Sequence, residues 1–199
     1  MASNIKVDKR QFILETAARL FVDKGYNTVT FFQIATEAKL KEKDIQKEFA
    51  TKEELRQELF DLYEKIYVEA RPDIDKILEC AKTEHPFVVL KMLDYEPPKD
   101  KINFLTHILL TALQDFRTNF ASRKVVRDNT IGYSVTFVKI VLDRLIELNK
   151  IAPLNSAAVA RLAGYHNFAN SILERTSLGT AREEWHENIE ALMGVIRLV

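Results

Sequence analysis

Glycine and proline are scarce, at five each in 199 residues, and there is one cysteine. A lone Cys80 excludes an intramolecular disulfide. It lies in the amphipathic run Asp75-Lys-Ile-Leu-Glu-Cys-Ala81, which reads as a packed thiol in a protein of the reducing cytoplasm. No apolar run reaches the roughly 20 residues needed to cross a bilayer, and residues 1–10 are polar. Neither secretion nor membrane insertion is therefore expected. Charge of one sign is also missing: Lys plus Arg and Asp plus Glu number 29 each, so any electrostatic footprint for nucleic acid has to be local. The four histidines, at 85, 107, 166 and 186, show no i,i+3 or i,i+4 spacing with one another or with Cys80, and no metal site is expected. A glycine-rich phosphate loop, a nucleophile elbow and a paired-carboxylate motif are all lacking, so neither an enzyme nor a cofactor is indicated.

What is present is helical periodicity. Apolar residues recur at spacings of three and four, and the chain reads as all-α with about ten helices. A first helix over 7–24 carries Phe12, Ile13, Ala17, Leu20 and Phe21 on one stripe and stops at Gly25. Thr30 to Gln33 spells a capping box, so a short second helix starts at Phe31. After a turn at Leu40 a third helix covers about 42–49. Thr51 to Glu54 repeats the box and opens a long fourth helix, whose inner face is Leu55, Leu59, Leu62, Tyr63 and Ile66 and which Pro72 ends. Further helices are expected near 73–84, 86–94, 99–120, 123–149, 155–177 and 181–197. Short helices give way to long ones between residues 50 and 70. The division drawn is 1–52 for a small head and 53–199 for a larger helical body.

Helix, helix, short turn, helix is the geometry that sets a recognition helix into the major groove. Between residues 39 and 52 five lysines face three carboxylates, a local net charge of +2. Within the third helix Lys43 and Lys47 are like-charged at i,i+4, as are Asp44 and Glu48. Neither pair stabilises a solvated helix, which favours a functional reading of the patch over a bland one.

Residues Phe12 to Leu55 resemble the TetR family of bacterial transcription regulators. The likeness is carried by Ala17-x-x-Leu20-Phe21, Lys24-Gly25-Tyr26, Thr28-Val-Thr30, Ile34-Ala35-x-x-Ala38, Ile45, Phe49 and Lys52-Glu53-x-Leu55. It implies a helix-turn-helix head, a ligand-binding and dimerisation body, double-stranded operator DNA as partner, and release from it when a small apolar or amphipathic effector binds. The DNA-binding residues would be Thr30, Phe31, Lys39, Lys41, Lys43, Asp44, Gln46, Lys47 and Lys52. Several positions depart from the family pattern. Lys39 stands where the turn usually has glycine, a substitution that costs of order 1 kcal/mol if the backbone is left-handed there. Lys41 and Lys43 replace small residues, Gln46 an aromatic one, and Glu48 precedes Phe49.

In the body, residues 103–120 are apolar on nearly every face. Their polar interruptions are either the surface of a core helix or the anchors of a pocket. The pocket set is Asn103, Phe104, His107, Leu110, Thr111 and Gln114, faced by Tyr133 and Phe137. The last two helices carry Leu162, Tyr165, Phe168 and Ile172, then Trp185, Ile189, Leu192 and Ile196. These stripes either pack within the chain or build the four-helix homodimer interface that the resemblance implies. Two functions follow: a ligand-responsive regulator, or a helical binding or interaction module in which DNA reading has weakened.

Overall fold

The computed structural model describes residues 8–93 and 98–173 together with positions 190, 194, 196 and 198, less the side chains of 167, 170, 171 and 173. The described residues are helical with no strand, and the isolated bridge between Ile151 and Leu198 is their one strand-like contact. The helices are α1 Lys9–Lys24, α2 Phe31–Glu37, α3 Glu42–Glu48, α4 Lys52–Glu69, α5 Ile74–Cys80, α6 Pro86–Lys91, α7 Ile102–Asp115, α8 Phe120–Arg123, α9 Tyr133–Glu147 and α10 Ser156–Leu173.

Local chemistry sets most of these ends. Asp8 caps α1, accepting from the Arg10 N–H, and Gly25 closes it at φ 84°, donating its N–H to the Phe21 carbonyl. The box at α2 is complete: Gln33 N–H donates to Thr30 Oγ1 at 3.3 Å, and Thr30 N–H donates to Gln33 Oε1 at 2.9 Å. At α4 the Glu54 N–H donates to Thr51 Oγ1, while the Glu54 carboxylate reaches back one residue further, to the N–H of Ala50. Lys39 has φ 56°, so the left-handed turn is kept although its residue is not glycine.

Two elements differ from the periodicity. The helix expected over 99–120 is shorter: a 3-10 turn at Lys99–Lys101 leads into α7, which ends at Asp115. There the Asp115 carbonyl accepts the N–H groups of Thr118 and Asn119. The helix expected over 123–149 is interrupted by a π-helical stretch, Lys124–Gly132. A Cβ on Gly132 would stand 2.9 Å from the Arg127 carbonyl oxygen, five residues back, so the wide turn needs glycine at its end. The helix expected over 181–197 lies outside the described residues.

The chain forms two compact units, and the first does not end at residue 52. It takes in residues up to 65 and also 100–126; the second comprises 66–99 and 127–199. The reason is long-range packing: α7 lies along α1, and Arg56 pairs with Asp115 at 2.8 Å. The first unit is built on Ile13, Leu14, Ala17, Ala18, Leu20, Phe21, Ile34, Ile45, Phe49, Leu55 and Leu59, all buried. Phe12, expected on the buried stripe, is 40% exposed, and Leu14 takes its place. The second unit packs Ile77, Leu90, Val141, Leu142, Leu145 and Ala160, with Gly164 letting α10 approach Val135 of α9.

Candidate nucleic-acid interface

The head is held from behind by two cations. Arg10 on α1 lies 4.2 Å over the Phe49 ring and donates through Nε to Glu58 at 2.7 Å. It also donates to the carbonyl of Glu48 and faces that residue's carboxylate at 3.6 Å. Lys52 points at the loop before α2: its Nζ donates to the carbonyls of Tyr26 at 2.8 Å and Val29 at 2.9 Å, and sits 4.5 Å over the Tyr26 ring. Tyr26 is the centre of this cluster. Its ring packs edge-on to Phe21 at 5.1 Å and under the Arg56 guanidinium, and its hydroxyl donates to Glu53 at 2.6 Å. Burial holds the phenol well above its usual range, and its hydrogen bond holds the Glu53 carboxyl low.

These contacts sort the charges expected to face DNA. Asp44 is turned back on its own helix start, accepting the N–H of Lys41 at 3.3 Å and facing Lys9 at 3.6 Å. The backbone hydrogen bond is the main cause of its lowered pKa. Asp44 and Glu48 are thus engaged by α1, not presented outward. Lys52 is committed to the loop carbonyls and leaves the outward set as well. What α3 and its preceding turn expose is Lys39, Lys41, Glu42, Lys43, Gln46 and Lys47: four ammonium groups against one carboxylate. Thr30 is exposed at the α2 cap, and Phe31 is half-buried. Its neighbour Phe32 is 65% exposed, which helical spacing alone had not singled out.

The expected pocket residues divide between the two units. Asn103, Phe104 and His107 line an open cleft of about 320 Å³ with Phe12, Arg19 and Glu37, all within the first unit. Burial holds His107 below its ordinary pKa. Leu110 is half-buried on α7. Thr111 donates to the His107 carbonyl within that helix. Gln114 is structural: it donates to the Phe21 carbonyl at 2.7 Å and accepts the Tyr26 N–H at 3.0 Å, closing the end of α1. Tyr133 and Phe137 belong to the second unit, with ring centroids 4.2 Å apart. Of the interface stripe, Leu162 is 72% and Tyr165 56% exposed, Phe168 and Ile172 are half-buried, and Ile196 is buried in the second unit's core. Trp185, Ile189 and Leu192 lie outside the described residues. Among the described residues no group of His, Cys, Asp and Glu could hold a metal ion, and no helix is long and apolar enough to cross a membrane.

Residues 13–59 match the family profile of bacterial regulatory proteins, tetR family. No curated protein sequence matches the chain significantly. Among solved structures it is similar to the ketosteroid transcriptional regulator KstR2 of Mycobacterium tuberculosis, at TM-score 0.71 and 19% identity over 96% of both chains. It is also similar to the TetR family transcriptional regulator PfmR of Thermus thermophilus, at TM-score 0.58 and 21% identity over 89% of this chain and 94% of that one. A third is a transcriptional regulator of Aquifex aeolicus, at 0.56 and 18% over 92% and 98%. At these identities the likeness is one of fold.

Proposed function

From a chain whose residues 13–59 match the family profile of bacterial regulatory proteins, tetR family, we propose a ligand-responsive transcriptional repressor that works as a homodimer in the cytoplasm. In this reading α3 enters the major groove and its lysines meet phosphates, while Thr30 at the start of α2 braces on the backbone. A small effector bound by the body loosens the grip on operator DNA by favouring a conformation in which the two heads no longer match successive grooves. The helix α4, which runs from the first unit into the second, is the continuous element through which that bias passes.

The observation that carries the reading is the sorting of charge around α3. Two of the three carboxylates around α3 are tied to Lys9, the Lys41 N–H and Arg10, which leaves four exposed lysines against Glu42. This weakens the alternative of a binding or interaction module with lost DNA reading, which rested partly on Glu48. The test is a gel shift of the purified protein on the promoter region of its own gene at low and moderate salt. Retardation of that fragment over an unrelated one of equal length is expected; equal or no retardation of both overturns operator recognition.

A further inference from the structure

Three side-chain polar atoms of the described residues are buried without a hydrogen-bond partner: Nε of Arg71, Nδ2 of Asn129 and the hydroxyl of Tyr133. All three belong to the second unit. Asn129 and Tyr133 are each 7% exposed, and desolvation raises the Tyr133 phenol above its usual range, so a neutral O–H donor is held there. Buried donors left unpaired are costly and rare, and a group of them in one region calls for an explanation.

Their surroundings are aromatic. The Arg71 guanidinium lies 4.2 Å over the Tyr133 ring and 5.9 Å from that of Tyr67. Tyr67 meets Tyr133 edge-on at 6.2 Å, and the Phe137 ring centroid is 4.2 Å from that of Tyr133. Asn129 stands one helical turn before Tyr133, within the π-helical stretch that Gly132 permits. Such wide turns recur at functional sites, and here the turn lies beside a buried amide that packing alone does not explain.

All three orphaned atoms are donors, so the group that completes them is an acceptor. One guanidinium contributes one positive charge and the other two donors are neutral, which matches a single negative charge and falls short of a doubly charged phosphate. We propose that Arg71, Asn129 and Tyr133 form the polar end of an effector site for a monocarboxylate, whose apolar part lies against the rings of Tyr67, Tyr133 and Phe137. This rests on the reading of the body as effector-binding and names the effector's chemical class. The site is also well placed to signal. Tyr67 lies in α4 and Arg71 just beyond it, and Asn129 lies in the π-helical stretch, two of the three segments in which the chain passes between its units.

The test is thermal denaturation of the full chain with a panel of aliphatic and aryl-alkyl monocarboxylates of graded length, each matched to the alcohol and the amine of the same skeleton. Members of the carboxylate series are expected to raise the melting temperature with saturable dose dependence, and their alcohols and amines to leave it unchanged. Tyr133→Phe is expected to melt higher than the parent without ligand, because an unpaired hydroxyl is removed, and to lose most of the carboxylate response. Arg71→Gln is expected to abolish the preference for carboxylate over alcohol. A panel in which no carboxylate outperforms its alcohol, or a Tyr133→Phe chain that melts lower and still responds, overturns the proposal. Operator retardation is scored separately: its persistence alongside a negative panel refutes the carboxylate site alone, and its absence alongside a positive panel refutes the repressor reading alone.

Discussion

Lys52 shows how far a residue's role depends on what the chain brings to it. In sequence it is one of five lysines in a short stretch and reads as a phosphate contact; in the fold its ammonium caps the Tyr26 and Val29 carbonyls. Replacing it with Met removes those bonds and leaves buried acceptors unpaired, at a cost of about 1–3 kcal/mol. Lys52→Met is therefore expected to lower the melting temperature while leaving the salt dependence of DNA binding unchanged. A reduced salt slope with unaltered stability would return Lys52 to the DNA-facing set. The same distinction separates what could be read early at this scale from what could not. Thr30 and Gly25 act through neighbours three or four residues away, so their roles were visible in spacing. Glu48, Lys52 and Gln114 act through partners far along the chain, and no local pattern announces which of several charges turns inward.

At the scale of elements, the end of α1 at Gly25, the starts of α2 at Thr30 and of α4 at Thr51, and the break at Pro72 followed from caps and punctuation. The interruption of the helix expected over 123–149 did not, because a change to an i→i+5 hydrogen-bond register inside a continuous helical run needs no cap or break to announce it. Gly132 was the available signal, one glycine in a run otherwise free of them. Since its Cβ would stand 2.9 Å from a backbone oxygen that cannot move aside cheaply, Gly132→Ala is expected to strain or reset the turn. The cost is of order 1–3 kcal/mol by analogy with overpacking, visible as a lower midpoint in urea denaturation. An unchanged midpoint would mean that the wide turn is not constrained there. The helix α7 was legible as a central apolar helix, but its packing along α1 was not, since apolar on every face does not say which neighbour it meets.

For the whole molecule, the division expected at residue 52 follows helix length, whereas the compact units follow packing: the first runs to residue 65 and takes in 100–126. The dimer proposed above rests on α10, where Leu162 and Tyr165 remain exposed in the single chain. Placing a charge in that stripe, Leu162→Glu, is expected to convert a dimer to a monomer in sedimentation equilibrium and to weaken operator binding, since paired heads are needed to read two half-sites. A dimer of unaltered stability would put the interface elsewhere.

The central claim is that the exposed lysine edge of α3 grips DNA, and salt dependence tests it most directly. Operator affinity is to be measured across a salt series for the parent chain and for a Lys43→Ala, Lys47→Ala double variant. If both lysines neutralise phosphates, affinity falls and the slope of log affinity against log salt becomes shallower by about 2. Identical affinity and identical slope in the two proteins would contradict the account.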